Sequence, residues 1–306
     1  MSAGHPQLRS HARTCATVRV PATTANLGPG FDTLGIALRL YNRATVVRTP
    51  VRGVTLESPM DYGAKAAATA MLAEAARSFF RATGERPFGI TVRLEGDVPI
   101  ARGLGSSVTA RLGCLGALNR LCDDPLDQDG LFQLVTDLEG HPDNAAPAVF
   151  GGFTASGLVG NRARTVRFPV NPRVRFITLI PRFEISTSMA RTLVPGSFSK
   201  ADTVHNLTRV ALITAAFASG RLDQLRGCFD DRIHQPYRQQ LIPALGKVIR
   251  AGERAGALGG WLSGSGSTII CLTVERPDAI ARAMHRALPD SEVRVLTADP
   301  HGLAPV

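Results

Sequence analysis

The chain has 306 residues, 44% of them hydrophobic and 20% charged, a composition that excludes disordered and fibrous classes and suits one or two compact domains of ~100–200 residues each. Its formal charge is +10, yet only Lys65, Lys200 and Lys247 are lysines, and the arginines are spread singly from Arg9 to Arg294. The clustered basic patch of a nucleic-acid binder is therefore missing, and no run approaches the ~18 apolar residues of a membrane span. Residues 1–14 are expected to be a flexible extension without the apolar core of a signal peptide, which makes the cytoplasm the expected address.

In chain order, residues 15–20 (CATVRV) predict a strand closed by Pro21 and the polar, Gly-rich segment PATTANLGPGFDTLG. An Ala-rich helical pattern covers 61–82. FGITVRLE alternates apolar and polar residues at the period of a half-buried strand. The loop GDVPIARGLGSS follows, and Val108, Leu112, Leu115, Leu118 and Leu121 mark a helix for which Ser106 or Ser107 is the expected cap. After a second helix at 127–138, the Pro and Gly content of EGHPDNAAPAVFGGF argues against regular structure throughout. From about residue 172 the pattern restarts: a strand at 174–180, helices near 201–219 and 238–256, the strand TIICLTV, and a helix from Pro277 to Leu288. The five cysteines, Cys15, Cys114, Cys122, Cys228 and Cys271, are odd in number with no CxxC pair, so they are expected to be reduced.

Three segments carry chemistry. The loop of Pro99, Ile100, Ala101, Arg102, Gly103, Leu104, Gly105, Ser106, Ser107, Val108 and Thr109 has glycines, serines and a helix start, the makings of a main-chain phosphate site. It lacks the G-K-[ST] ending of a Walker A motif, and a serine-capped strand-to-helix turn would look the same. Glu139, His141, Asp143 and Asn144 lie within six residues. Carboxylates there suit Mg²⁺ beside substrate phosphates, whereas an Asx-turn with a helix cap uses the same residue types. The third segment, WLSGSGSTIICL, allows close approach of a ligand or another backbone, and reads equally well as a β-turn.

Taken in order, PATTANLGPGFDTLGIAL, PIARGLGSS, EGHPDNAAPAVFGG and LSGSGST resemble the GHMP small-molecule kinase superfamily, and within it most closely the homoserine kinases. The resemblance runs from about Val18 to Val274. It implies an α+β fold of two domains, residues 15–168 like the second domain of ribosomal protein S5 and residues 169–306 ferredoxin-like. It further implies ATP-dependent, Mg²⁺-assisted phosphorylation of the side-chain hydroxyl of L-homoserine in threonine biosynthesis, and suggests a homodimer. The loop from Pro99 to Thr109 matches the family's ATP-phosphate loop, and Ser107 and Glu139 its Mg²⁺-associated serine and glutamate. Asn26, Asp32, His141 and Asn144 match its substrate pocket, Thr187 and Arg191 match a threonine and arginine by the substrate hydroxyl and phosphate, and Arg238 matches a second arginine. An amino acid's carboxylate needs a cation and its ammonium an anion, so Arg191 or Arg238 with Asp32 makes a complementary set. Asp143 is read as an orienting or electrostatic group, with a base role left open.

Val108 and Thr109 depart from the family's usual small residues, and Ser267 replaces its usual proline. The alternatives are a kinase of another hydroxylated amino acid or small alcohol and, more remotely, a non-catalytic nucleic-acid-binding protein.

Overall fold

The computed structural model describes residues 13–58 and 62–306; all but the last two residues of the expected extension fall outside them. In chain order the first half comprises β1 (Cys15–Ala25), β2 (Leu34–Thr49), β3 (Val54–Glu57), α1 (Tyr62–Thr83), β4 (Gly89–Gly96), α2 (Ser106–Leu121), α3 (Gln128–Glu139), α4 (Ala145–Phe150), β5 (Phe153–Val159) and β6 (Arg162–Phe168). The second half comprises β7 (Arg175–Pro181), α5 (Thr187–Thr192), α6 (Lys200–Ser219), α7 (Gln235–Arg238), α8 (Leu245–Arg254), β8 (Gly259–Leu262), β9 (Ile269–Thr273), α9 (Pro277–Ala287), β10 (Ser291–Leu296) and β11 (Ala304–Pro305).

One sheet runs β11-β1-β2-β4-β3, with β5 joined to β2 and β6 to β5; only the β3–β4 pair is parallel. Helices α1 to α4 cover one face, with Leu72, Phe79, Leu112, Leu115 and Val135 in a common core. Small residues let α2 lie close to the sheet: a Cβ on Gly113 would come within 2.6 Å of the Ala44 methyl. The second sheet runs β10-β7-β9-β8 and is antiparallel throughout, the strand order of a ferredoxin-like βαββαβ unit. Helices α8 and α9 pack on one face around Val248, Ile280 and Met284. The other face meets the first half, where Leu34 and Ile36 share a buried cluster with Phe176, Trp261 and Leu272. The fold is thus α+β with two halves joined through one apolar core. No helix among the described residues is long and apolar enough to cross a membrane.

The last ten residues return to the first sheet. Asp299 N–H donates to the Ala37 carbonyl at 2.9 Å, β11 pairs with β1, and the Tyr41 hydroxyl donates to Asp299 at 2.7 Å. Asp299, 1% exposed, also accepts from the His301 and Gly302 amides.

Four sequence expectations need correction. β1 does not stop at Pro21 but continues to Ala25, because the register shifts between Pro21 and Ala22 and a bulge tolerates the missing N–H. The segment after His141 is helical over α4, since Pro147 sits in the first turn, where its N–H would have no intrahelical partner. The helix expected at 238–256 is α-helical only over α8, because Pro243 separates α8 from a short turn at 239–241 and from α7, which ends at Arg238. Residue 105, not a serine, occupies the N-cap of α2, in a left-handed conformation with no side-chain cap.

Burial and the bond to Asp299 push the Tyr41 phenol up to about 12. Tyr41→Phe should cost about 1–3 kcal/mol at neutral pH, because it leaves a buried carboxylate short of a donor. The folded phenol titrates above the unfolded one, so this advantage is complete below the unfolded value near ~10 and is lost as pH rises toward the folded value. Urea unfolding of both proteins at several pH values should show the gap between them closing across that window.

Candidate active site

The loop between β4 and α2 turns on left-handed residues: Ala101, Gly103 and Gly105 have φ of 52°, 77° and 72°. Its main chain is wedged between the two halves. A Cβ on Gly105 would lie 2.1 Å from Thr23 Oγ1, and one on Gly103 2.1 Å from the Ser263 carbonyl oxygen, so both positions exclude any side chain. The loop's C=O groups are tied on both sides. Thr23 N–H donates to Leu104 O at 3.1 Å and Thr268 N–H to Arg102 O at 3.1 Å, while Ser263 Oγ donates to Gly103 O at 2.6 Å. The segment WLSGSGSTIICL is therefore the strap that seats this loop, with Trp261 Nε1 donating to Thr24 Oγ1 at 2.9 Å.

Ala101, Gly103, Gly105, Ser106 and Ser107 face a cleft at the start of α2. Leu104, Val108 and Thr109 are buried beneath them, and the Thr109 hydroxyl is satisfied by Ser106 O and Asn42 Nδ2. Pro99, Ile100 and Arg102 are not in the cleft wall; Arg102 instead donates to Pro181 O and Arg182 O and pairs with Glu184 at 3.1 Å. Ser267, which takes the place of the family's proline, donates to Phe183 O at 2.7 Å.

The acidic turn forms the opposite wall. Asp143, 2% exposed, accepts at Oδ1 from His141 Nδ1 at 2.5 Å, from the Asn144 amide at 2.9 Å and from Asn144 Nδ2 at 3.3 Å. Burial works against a charged His141, but the hydrogen bond and charge of Asp143 win and hold it above the ordinary histidine value. Asn144 Oδ1 accepts from Thr23 Oγ1 at 2.6 Å, which links the turn to β1 just below Gly105. Glu139, at the end of α3, accepts from Ser107 Oγ at 3.0 Å through Oε2 and from Arg111 Nη1 at 2.5 Å through Oε1.

The first motif and the two arginines close the cleft. Asn26 and Asp32 adopt left-handed φ of 72° and 55°, which short polar side chains tolerate best. Asn26 Oδ1 accepts from the Asp32 amide at 3.0 Å, and its Nδ2 donates to Gly264 O at 3.0 Å. Asp32 receives both terminal nitrogens of Arg191, at 3.0 and 2.7 Å, a fork-to-carboxylate pair of the strong kind. Partial burial alone would lower Arg191, but its bond to Asp32 carries it above the ordinary guanidinium value. Arg238 is 2% exposed and donates to Ala190 O, Gly264 O and His234 Nδ1 at 3.2, 3.1 and 3.2 Å. Burial and the neighbouring Arg191 push it down to about 10, which still leaves it cationic at neutral pH. Thr187 Oγ1 lies 3.2 Å from Ser265 Oγ.

One cleft thus collects Asn26, Asp32, Glu139, His141, Asp143, Asn144, Thr187, Arg191 and Arg238. Sequence reasoning missed Phe31, Thr23, Ser263, Gly264, Ser265, Arg111 and His234. Phe31 carries both guanidinium groups near its ring, Arg191 at 5.6 Å and Arg238 at 5.1 Å. Its signal was adjacency to Asp32, and that of His234 was a spacing of four from Arg238. Gly103→Ala should destabilise the protein by about 1–3 kcal/mol or more, because it combines left-handed strain with overlap on fixed backbone. Chemical denaturation would measure this, with Gly84→Ala, equally left-handed but with open space around it, as the control for backbone strain alone.

A family model described as the GHMP kinases N terminal domain matches residues 70–152, and one described as GHMP kinases C terminal matches residues 213–290. A homoserine kinase of Moorella thermoacetica is 39% identical over 270 residues, covering 88% of this chain and 91% of that protein. A homoserine kinase of Trichormus variabilis is 39% identical over 298 residues, covering 94% and 97%. The crystal structure of homoserine kinase from Cytophaga hutchinsonii matches with a TM-score of 0.87 at 25% identity, over 97% of this chain and 99% of that one. The L. major mevalonate kinase, solved with R-mevalonate, shares the fold at a TM-score of 0.68 and 16% identity, over 95% and 97% of the two chains. Identity of that order, sustained along nearly the whole of both chains, means that this chain belongs to the homoserine kinase family of the GHMP kinases.

Proposed function

We propose that the chain transfers the γ-phosphoryl group of ATP to the side-chain hydroxyl of L-homoserine, giving ADP and O-phospho-L-homoserine on the route to threonine. One observation carries this reading: Asp32 and Arg191 are paired fork to carboxylate in the same cleft as the amides of Gly105, Ser106 and Ser107. A zwitterionic amino acid can exchange that single ion pair for two, its ammonium taking Asp32 and its carboxylate taking Arg191 and Arg238. A neutral alcohol leaves the pair shut, or opens it and leaves one of these partly exposed charges without a partner. Arg238 strengthens the case, since its bonds go only to two carbonyls and an imidazole nitrogen.

Phosphoryl transfer needs alignment and neutralisation of charge more than covalent help. The free amides at the start of α2 are suited to phosphate oxygens, and Arg191 and Thr187 stand on the acceptor side. Ser107 and Glu139 offer two hard oxygens 3.0 Å apart, a donor set that fits Mg²⁺. Arg111 holds the other Glu139 oxygen and so aims Oε2 at the cleft. These residues would hold the ion, which when bound supplies positive charge to the phosphates. Asp143 acts as an orienting group: its Oδ1 already accepts three bonds, which fixes His141 and Asn144 against the pocket.

Purified protein should release ADP with homoserine much faster than with threonine, serine or mevalonate; equal or faster turnover of one of the others overturns the substrate. Asp32→Asn and Arg191→Ala should each lower kcat/KM for homoserine by about 10²-fold or more while leaving the KM for ATP nearly unchanged, as loss of one partner of a charge pair predicts. Glu139→Gln should shift the Mg²⁺ dependence of the rate to higher concentrations. Unchanged kinetics in all three variants would remove the site assignment.

A further inference from the structure

His234 lies outside every motif discussed so far, yet it is wholly buried (0% exposed) at the junction of the two charged walls. Its Nδ1 lies 3.2 Å from Arg238 Nη1 and its Nε2 lies 2.8 Å from the Gly28 carbonyl oxygen. Guanidinium can only donate and a carbonyl can only accept. The two neighbours therefore dictate one neutral tautomer, with Nδ1 bare toward Arg238 and Nε2–H donating to Gly28.

The ring is clamped on its remaining sides. Phe31 stacks on it at 5.1 Å and 23°, and the Asp231 carboxylate accepts the His234 amide at 3.0 Å together with the Ile233 and Gln235 amides. Asn206 Nδ2 donates to that carboxylate at 2.7 Å and to the Pro29 carbonyl at 3.0 Å. A single imidazole thereby spans from the loop that bears Asp32 to the guanidinium of Arg238, and Phe31, next to Asp32, rides on its face.

From this geometry we infer that His234 is a positioning residue for the acceptor substrate: it sets the Asp32 loop and Arg238 at one fixed separation. It touches neither substrate nor phosphate. The chemical class of the substrate rests on the reading above; the tautomer and the coupling do not.

Two substitutions separate the two bonds. In His234→Asn the amide oxygen falls near the position of Nδ1, which keeps an acceptor for Arg238 and drops the tie to Gly28. In His234→Gln the amide nitrogen reaches toward the position of Nε2, which keeps the tie and removes the acceptor. Each should raise the KM for homoserine by about tenfold or more, as expected for one bond involving a charged or fully buried partner, with the KM for ATP changed less than about twofold. On an Arg238→Ala background His234→Gln should add almost nothing, because the donor it starves is already gone, whereas His234→Asn should still add its own loss. Thermal melts of all variants establish that folded protein is being compared. A full additional loss from His234→Gln on that background, or equal damage to ATP and homoserine, would overturn the assignment.

Nitrogen NMR of histidine-labelled protein gives a readout independent of any substrate. The signal pair absent from His234→Gln should report a protonated Nε2 and a bare Nδ1 at neutral pH; a protonated Nδ1 sinks the proposal. Should the wild type fail to phosphorylate homoserine in the same assay, the substrate reading falls while this measurement still decides the role of His234.

Discussion

Main chain rather than side chain sits at the centre of this molecule. Residues 103–105 pass between Thr23 on β1 and Ser263 beyond β8 so closely that neither flanking glycine has room for a methyl group. Ser263 fixes the Gly103 carbonyl from one half of the protein and Thr23 fixes the Leu104 carbonyl from the other. With its carbonyls taken, the loop leaves its amides at the start of α2 directed at the cleft, where the aligned dipoles of a long helix favour anions. The apolar core shared by Leu34, Ile36, Phe176 and Trp261 keeps the two clamps at a constant separation. The apolar joint thus sets the geometry in which a handful of polar contacts operate.

Around that loop most charges are paired, the exception being buried Arg238, whose bonds go to two carbonyls and an imidazole nitrogen. Arg191 is matched to Asp32, His141 to Asp143 and Arg111 to Glu139. A cleft with so many ionised groups would be costly without such pairing, since buried charges need partners. The pairs differ in what they leave available. Glu139 is held through one oxygen by arginine and presents the other beside Ser107. Asp143 is saturated at Oδ1 by its own neighbours, which suits a group that holds others in place. Asp32 and Arg191 satisfy each other from different halves of the chain, so an incoming zwitterion has a ready exchange.

Local features were legible in the sequence because their causes are local. The alternation in residues 88–95 and the three-four spacing after Ser107 gave β4 and α2, and the glycines with the adjoining helix marked the loop. β2, β3, α5 and the strands β5, β6, β8, β10 and β11 were not singled out, and Pro147 and Pro21 were taken as stronger breakers than their positions made them. Proline disrupts through a missing N–H, and whether that N–H is needed depends on a first helical turn or a bulge that composition does not reveal.

By itself the sequence determined the reaction chemistry on offer: a glycine-rich helix start for phosphates, carboxylates in a tight turn, and arginines of the right kind for a carboxylate. These are properties of residue types and short spacings. Tertiary structure alone decided that LSGSGST seats the loop while its Gly264 and Ser265 also line the cleft, that Gly105 caps α2 where a serine was expected, and that Arg102 points away from the cleft to the Pro181 and Arg182 carbonyls. It also decided that Arg238 depends on a buried histidine. Apart from the Arg238–His234 contact, which spans only four positions, these outcomes turn on contacts between residues far apart in the chain, some of them more than two hundred positions apart, and separations of that kind leave no periodicity to read.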